Sequence, residues 1–479
     1  MRRKSSSPFK KGSIHEFEIT DLAFGGKGIA KVPIDDGLFT VFVQNAIPGQ
    51  LVRAKITDSK KRYADSAILQ ILRHSELEKS VPYQSIPGAP YAALPIEIQH
   101  RYKKKNALDL FERIGKIERP ENYLDEFISS PQTWYYRNKM EYSFCAIVYD
   151  LKDNETKDIF GFGFKHRGMW WAVENMERDS GLFDKELEDR LIDIRKYCEA
   201  TGLAAWHPPK QEGFFRYLVV RKSVHDNKFL FGFVTSSFGL DEFDQNAFKD
   251  LLLEYFKERV AGILHIVYDD SGDHVRVLEG STNVLYGDSK ITEQLLGLDF
   301  EVSLQSFFQP NPKCAEKLYS KAIQYSNECT PENAVVLDLF CGTGTITQLL
   351  ARGNSREVIG VDIVQEAITD ADINAKRNNI ENVKFFAADA GKFLEQFPEY
   401  RGKIHTVLMD PPRAGLAPKT LDLVISLNAK AIVYVSCNPA TQARDAEILN
   451  NSGYALKKFT LIDQFPHTSH LESIMLFER

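Results

Sequence analysis

The sequence predicts three successive units. Residues 1–75 read as an OB-like β-barrel, 76–300 as a central α+β region, and 301–479 as a Rossmann-like α/β domain with a doubly wound parallel sheet. Three observations predict this. A length of 479 residues accommodates about three domains at ~150 residues each. Five short strand-like runs crowd between residues 13 and 72. From about residue 311, β-type runs alternate with helix-type runs.

In the first unit Ile14 to Ile19 alternates, Phe24 to Gly28 is a turn, and Leu38 to Val43, Leu51 to Ile56 and Ala64 to Leu72 are strand candidates. Pro48-Gly49 marks a hairpin between two of them. Such a barrel often binds RNA, although it can be purely structural. In the second unit, 100–117 reads as an amphipathic helix with Ala107, Leu108, Leu110, Phe111 and Ile114 on its apolar stripe, able to pack on the C-terminal domain. Strands over 141–149, 159–165, 217–223, 228–234 and 263–268, with helices over 185–201 and 245–259, imply an antiparallel sheet. In the third unit, strands fall at 334–339, 358–362, 383–388, 406–409 and 431–436, with a helix over 365–378. Two closing strands, 454–462 and 471–477, are joined by a loop.

Hydrophobic residues make up 43% and charged residues 26%, which excludes chain-wide disorder and collagen-like sequence. Met1 to Gly12 carries five basic residues without an apolar run, unlike a secretory signal. No stretch approaches ~18 uninterrupted apolar residues, so no membrane partner is expected. The six cysteines form no CxxC pair, which argues against a zinc ribbon and a disulfide framework and fits a reducing cytoplasm. Net charge is −6, yet Arg2, Arg3, Lys4, Lys10 and Lys11, then Lys60, Lys61 and Arg62, then Arg101, Lys103, Lys104 and Lys105 form local basic clusters. Phosphate contacts need a local positive face, although any one cluster also fits a solvated surface.

The first C-terminal strand runs into Phe340-Cys341-Gly342-Thr343-Gly344. Glycines there let the backbone turn tightly against a ligand. Asp362 ends the next strand, where a carboxylate accepts both hydroxyls of a ribose. Thr347 stands where a dinucleotide fingerprint wants its third glycine, and Asp338 precedes the turn, which suits S-adenosyl-L-methionine better than NAD. Asp389 follows the third strand, on the adenine side. The fourth strand ends in Asp410-Pro411-Pro412-Arg413, a base-methyltransferase pattern without the aromatic residue expected for amino methylation. Cys437 follows the fifth strand beside a helix start, where the dipole favours thiolate. Uracil C5 is a poor nucleophile, and thiolate addition at C6 activates it. A base must then take the C5 proton. Glu472, at the start of the last strand, is a candidate base or else a surface strand residue. His467 and His470 read as loop residues, not as metal ligands.

Together with Ser306-Phe307-Phe308-Gln309-Pro310-Asn311, Ser436-Cys437-Asn438-Pro439 and His470-Leu471-Glu472, these motifs resemble the RNA uracil-C5 methyltransferases that make 5-methyluridine. The resemblance covers nearly the whole chain. It implies a class I methyltransferase domain and S-adenosyl-L-methionine held by Gln309, Phe340, Asp362 and Asp410. It also implies Cys437 as nucleophile, Glu472 as base and a TRAM-type barrel. The barrel tilts the expected RNA partner toward 23S rRNA, with tRNA as the alternative and no obligate protein partner. Many ribosomal members hold an iron-sulfur cluster. Residues 81–90 and Met176 supply no cysteine for one, so no metal is expected and Val81, Ile86 and Met176 should pack locally. Two other readings stay open: a cytosine-C5 RNA methyltransferase, which usually has a Pro-Cys or Thr-Cys nucleophile motif, and a non-catalytic RNA-binding protein.

Overall fold

The computed structural model describes residues 7–35, 37–270 and 281–479; Arg2, Arg3 and Lys4 of the first basic cluster lie outside them. Strands β1 (Ile14–Glu18), β2 (Asp21–Leu22), β3 (Gly28–Ile34), β4 (Gly37–Gln44), β5 (Leu51–Ser59) and β6 (Tyr63–Arg73) form a sheet in the order β1-β5-β6-β4-β3-β2. β1 and β2 are successive in the chain yet lie at opposite edges, so the sheet curls and closes on that segment. Alternate side chains point inward, as with Val41 and Val43 on β4 and Val52, Ala54 and Ile56 on β5. The sheet has six strands where five are expected: two-residue β2 is too short to carry a period, and β3 matches none of the runs named in the sequence. Pro48-Gly49 is not a hairpin turn. β4 and β5 both flank β6, and the hairpins are β3–β4 and β5–β6.

Next come α1 (Ile96–Arg113) and β7 (Leu124–Ile128). A mixed sheet then follows in the order β10-β9-β12-β11-β8-β13-β14-β15-β16. Its strands are β8 (Lys139–Cys145), β9 (Val148–Asp150), β10 (Glu155–Lys157), β11 (Gly161–Lys165), β12 (Val173–Asn175), β13 (Phe215–Lys222), β14 (Phe229–Thr235), β15 (Val260–Val267) and β16 (Thr282–Gly287). Helices α2 (Lys185–Ala200) and α3 (Gln245–Phe256) share a core with Leu218, Val220, Phe231 and Phe233. The sheet is not purely antiparallel as expected. α3 crosses between β14 and β15, and a helical crossover returns the chain parallel. Ile86 and Met176 join this core, whereas Val81 is only half-buried. Gln84 ties residues 81–90 to the segment after β12, donating to the Asn175 carbonyl (2.8 Å) and accepting from the Glu177 N–H (2.8 Å).

Hairpin β17 (Lys290–Leu295) and β18 (Leu298–Ser303) leads into α4 (Pro312–Cys329). The remaining strands are β19 (Val335–Leu339), β20 (Glu357–Asp362), β21 (Val383–Ala387), β22 (Ile404–Met409), β23 (Ala431–Ser436), β24 (Ala455–Ile462) and β25 (Glu472–Glu478). They alternate with α5 (Thr345–Ala351), α6 (Gln365–Arg377), α7 (Phe393–Gln396), α8 (Pro418–Ser426) and α9 (Pro439–Asn451). The sheet order is β21-β20-β19-β22-β23-β25-β24-β7, with β25 antiparallel to both its neighbours.

β7 pairs parallel with β24, so a strand from upstream of the central sheet completes the C-terminal one. α1 lies on the same unit, with Phe111 edge-on to Phe459 at 5.0 Å. The helix runs over 96–113, four residues earlier than expected at each end. Its inner face is Gln99, Lys103, Ala107 and Phe111, spaced by one turn. Lys103 therefore does not belong to a basic surface. It is buried and donates to Asp463 Oδ1 (2.6 Å) and the Phe465 carbonyl (3.0 Å). Lys105 pairs with Asp21 of the barrel. One apolar core runs from Leu230 and Val234 through Phe300 to Leu318, Val336 and Val433, joining the central and C-terminal sheets.

Candidate active site

The register Leu339↔Val361, Leu339↔Met409 and Met409↔Tyr434 aligns the carboxyl ends of β19, β20, β22 and β23. The connections run outward in opposite directions from β19, so a crevice opens between β19 and β22. Phe340, Asp362, Asp410 and Cys437 all stand on this edge, directly after or at the end of their strands. β25 runs the other way, and its register Ser436↔Ser473 brings Glu472 to the same edge, immediately beside Cys437.

The turn after β19 is sharply shaped. Phe340 adopts a left-handed backbone (φ 66°), and its N–H and that of Cys341 both donate to the Val361 carbonyl (2.8 and 3.1 Å). Gly344 (φ 74°) has the Phe385 ring so close that a Cβ would fall 2.7 Å from it, whereas a Cβ on Gly342 (φ 54°) would meet open space. Asp362 accepts from the Gly342 N–H through Oδ2 (3.0 Å) and from the Val364 N–H through Oδ1 (2.9 Å). Each carboxylate oxygen keeps a lone pair for a hydroxyl donor. Asp338 is buried and accepts from Thr347 Oγ1 (2.5 Å).

Gln309 is buried before α4. Its carbonyl accepts from Asn138 Nδ2 (3.1 Å), and its Oε1 from Gln464 Nε2 (3.4 Å). Asp389 is exposed and caps the short turn after β21, accepting from the Gly391 N–H (2.8 Å). Asn438 caps α9 through the Ala440 N–H (3.2 Å) and donates to the Arg413 carbonyl (2.9 Å), which ties the 410–415 loop to the segment carrying Cys437.

Electrostatics separates this site from the rest of the sheet. Burial raises Glu472 to about 8, with Asp410 adding to the rise and Arg413 opposing it. Burial likewise raises Asp410 to about 7 and Asp338 to about 7. Burial first, then the Glu472 and Asp410 carboxylates, pushes the Cys437 thiol up to about 11, again against Arg413. Against the thiolate that a helix start favours, desolvation keeps this group a thiol in the free protein.

Residues 290–479 match the family model described as tRNA (uracil-5-)-methyltransferase, and residues 8–69 match the TRAM domain. An uncharacterized RNA methyltransferase of Clostridium tetani is 34% identical, over 98% of each chain. One of Chlorobaculum tepidum is 34% identical over 98% of this chain and 97% of its own. This chain belongs to the RNA uracil-C5 methyltransferases. Among solved structures, the tRNA (uracil-54, C5)-methyltransferase of Pyrococcus abyssi, in complex with S-adenosyl-L-homocysteine, aligns with TM-score 0.71 and 26% identity over 97% of this chain and 100% of its own.

The methyltransferase takes S-adenosyl-L-methionine as its cofactor and RNA as its substrate. The edge fits that cofactor on its own chemistry. Asp338, Asp362 and Asp410 make a carboxyl-rich cradle suited to a cationic ligand, and Asp362 presents acceptors for ribose hydroxyls. Ile363, 71% exposed, sets an apolar side chain beside them. Among the described residues no group of three or more His, Cys, Asp or Glu could hold a metal ion, and no helix is long and apolar enough to cross a membrane. Sequence reasoning missed Tyr319. It is buried on α4 and lies in the field of Asp410 and Glu472. Its only sequence signal is the helical period of α4. Arg413 could have been found from its place in the Asp410-to-Gly415 motif.

Proposed function

We propose that the enzyme methylates C5 of a uridine in 23S rRNA, with Cys437 as nucleophile and Glu472 as base. The observation that carries this reading is the adjacency of Cys437 and Glu472 at the open ends of the paired strands β23 and β25. The Cys437 thiol gives its proton to solvent, and the Sγ thiolate adds to C6 of the uracil, forming an S–C6 bond and turning the ring into an enolate nucleophilic at C5. S-adenosyl-L-methionine, when bound, supplies the methyl group. Glu472 removes the C5 proton, the S–C6 bond breaks, and the C5=C6 double bond returns. Arg413 favours the charged forms of both residues. A pKa of about 8 suits a general base near neutral pH. Gln309, Phe340, Asp362, Asp389 and Asp410 hold the cofactor in this reading. The target base must leave its stack to reach the buried pair.

A second target, tRNA, is favoured by one observation. The Pyrococcus abyssi protein named for tRNA aligns over 97% of this chain, which must include most of the barrel, so a barrel by itself does not select rRNA. The test is incubation with labelled S-adenosyl-L-methionine and unmodified 23S rRNA or tRNA transcripts, followed by nucleoside analysis. We expect 5-methyluridine in 23S rRNA with the intact enzyme. Cys437→Ala should form none while binding cofactor normally. Product in tRNA alone would move the target to the second reading, and turnover by the alanine variant would overturn the covalent mechanism.

A further inference from the structure

A cleft of about 660 Å³ opens where the barrel, the central sheet and the C-terminal loop meet. The β11–β12 turn supplies one wall with Lys165, Arg167 and Trp170, and Pro87, Pro90 and His470 supply others. Trp170 is 53% exposed, yet the turn that carries it is rigidly braced. The His166 N–H donates to the Ala172 carbonyl (2.9 Å), and the Met169 N–H to the His166 carbonyl (3.0 Å). The His166 ring stacks on Tyr149 at 3.8 Å and bonds Glu174 at 2.6 Å. Neighbouring Trp171 packs edge-on against Trp170 at 5.9 Å.

A large aromatic side chain left half in solvent gains only part of its possible burial from folding, and on a braced turn it is pre-organised for a flat ligand. The barrel reaches the same place. Arg167 donates to Asn45 Oδ1 (2.6 Å), and Ser469 lies against the barrel turn, 3.1 Å from where a Gly26 Cβ would stand. Residues 468–470 line the cleft and run directly into Glu472. His470 joins the two sites electrostatically: burial, then the charges of Arg413, Lys103, Arg137 and Arg167, hold its pKa at about 4. The cleft is thus cationic, carries an exposed aromatic face and lies two residues along the chain from the proposed base.

We propose that this cleft is a second base slot for the substrate RNA, in which Trp170 stacks an unpaired nucleobase neighbouring the target uridine while Lys165 and Arg167 hold the adjoining phosphates. The proposal rests on the RNA-methylating reading above. Aromatic stacking accepts any base, and single-stranded RNA offers unpaired bases beside their phosphates.

The test uses the full-length enzyme, a twelve-nucleotide oligouridylate as binding probe, and whichever transcript the intact enzyme methylates. Trp170→Ala should weaken oligouridylate binding and raise KM for RNA by roughly tenfold, the scale of one base–aromatic stack. Its kcat and its S-adenosyl-L-methionine affinity should stay within about twofold, showing that it folds. Trp170→Phe should restore most of the RNA affinity. Arg167→Ala should reduce the slope of log affinity against log salt by about one. Wild-type affinity and salt slope in both alanine variants would overturn the slot. A fully active intact enzyme with unaffected variants sinks only this proposal. Absence of any 5-methyluridine from the intact enzyme sinks the functional reading, and the binding measurements still decide the slot.

Discussion

Cys437 is held as a thiol by what surrounds it. Burial and two carboxyl groups push its pKa to about 11, and Arg413 pulls the other way. Glu472 titrates near 8, so it is neutral at pH 6.5 and charged at pH 9. Replacing it with Gln therefore changes the field at Cys437 only at the higher pH. We expect Glu472→Gln to speed alkylation of Cys437 by iodoacetamide severalfold at pH 9, because a less opposed thiolate forms more readily. At pH 6.5 the two rates should agree, and peptide mass spectrometry of the Cys437 peptide reads both. Equal rates at pH 9 would mean that Glu472 does not act on the thiol. The placement of Cys437 and Asp362 at strand ends was legible in the sequence. The protonation of Cys437 was not, because it depends first on burial and then on Glu472 and Asp410, all set by the folded sheet.

α1 shows the same division at the level of an element. Its apolar residues announce a helix, but its inner face includes Lys103, which joins His100 around buried Asp463. Burying an ion pair costs desolvation that the pair's attraction offsets only while both partners remain. Lys103→Ala leaves Asp463 without its strongest partner. It should lower unfolding free energy by about 3 kcal/mol, read as a shift of the urea midpoint. His100→Ala should cost less, since His100 is partly exposed and Lys103 would still neutralise Asp463. A run of Arg101, Lys103, Lys104 and Lys105 looks uniformly basic in sequence. Helical geometry sends only Lys103 to the interior, and the sequence gives no sign of the carboxylate 360 residues away that receives it.

Across the whole molecule, buried titratable groups set how stability depends on pH. Glu188 and Glu472 rise from 4.5 to about 8, and Asp338 and Asp410 from 3.8 to about 7. Between the unfolded and folded values the folded state binds more protons, so each of these groups lowers stability as pH rises through that window. His265, His467 and His470 are lowered from 6.5 to about 4 and act oppositely, but only below pH 6.5. The two sets partly cancel up to 6.5, and only the carboxyls act above it. The free enzyme should therefore lose about 5 °C in Tm between pH 6.5 and 8.5. Differential scanning fluorimetry without cofactor checks this, and a flat or rising Tm would contradict it.

Local pattern by itself determined the three kinds of structure, the strand-end positions of Phe340, Asp362, Asp410 and Cys437, and the family. Side-chain periodicity and turn chemistry act over a few residues, and the chemical motifs sit at those turns. Tertiary structure decided the rest. It paired β7 with β24, closed the barrel on β1 and β2, made β14 and β15 parallel, and set Glu472 beside Cys437. Each of these joins segments whose pairing is chosen by which apolar faces can be buried together, and a single linear pattern does not specify that choice.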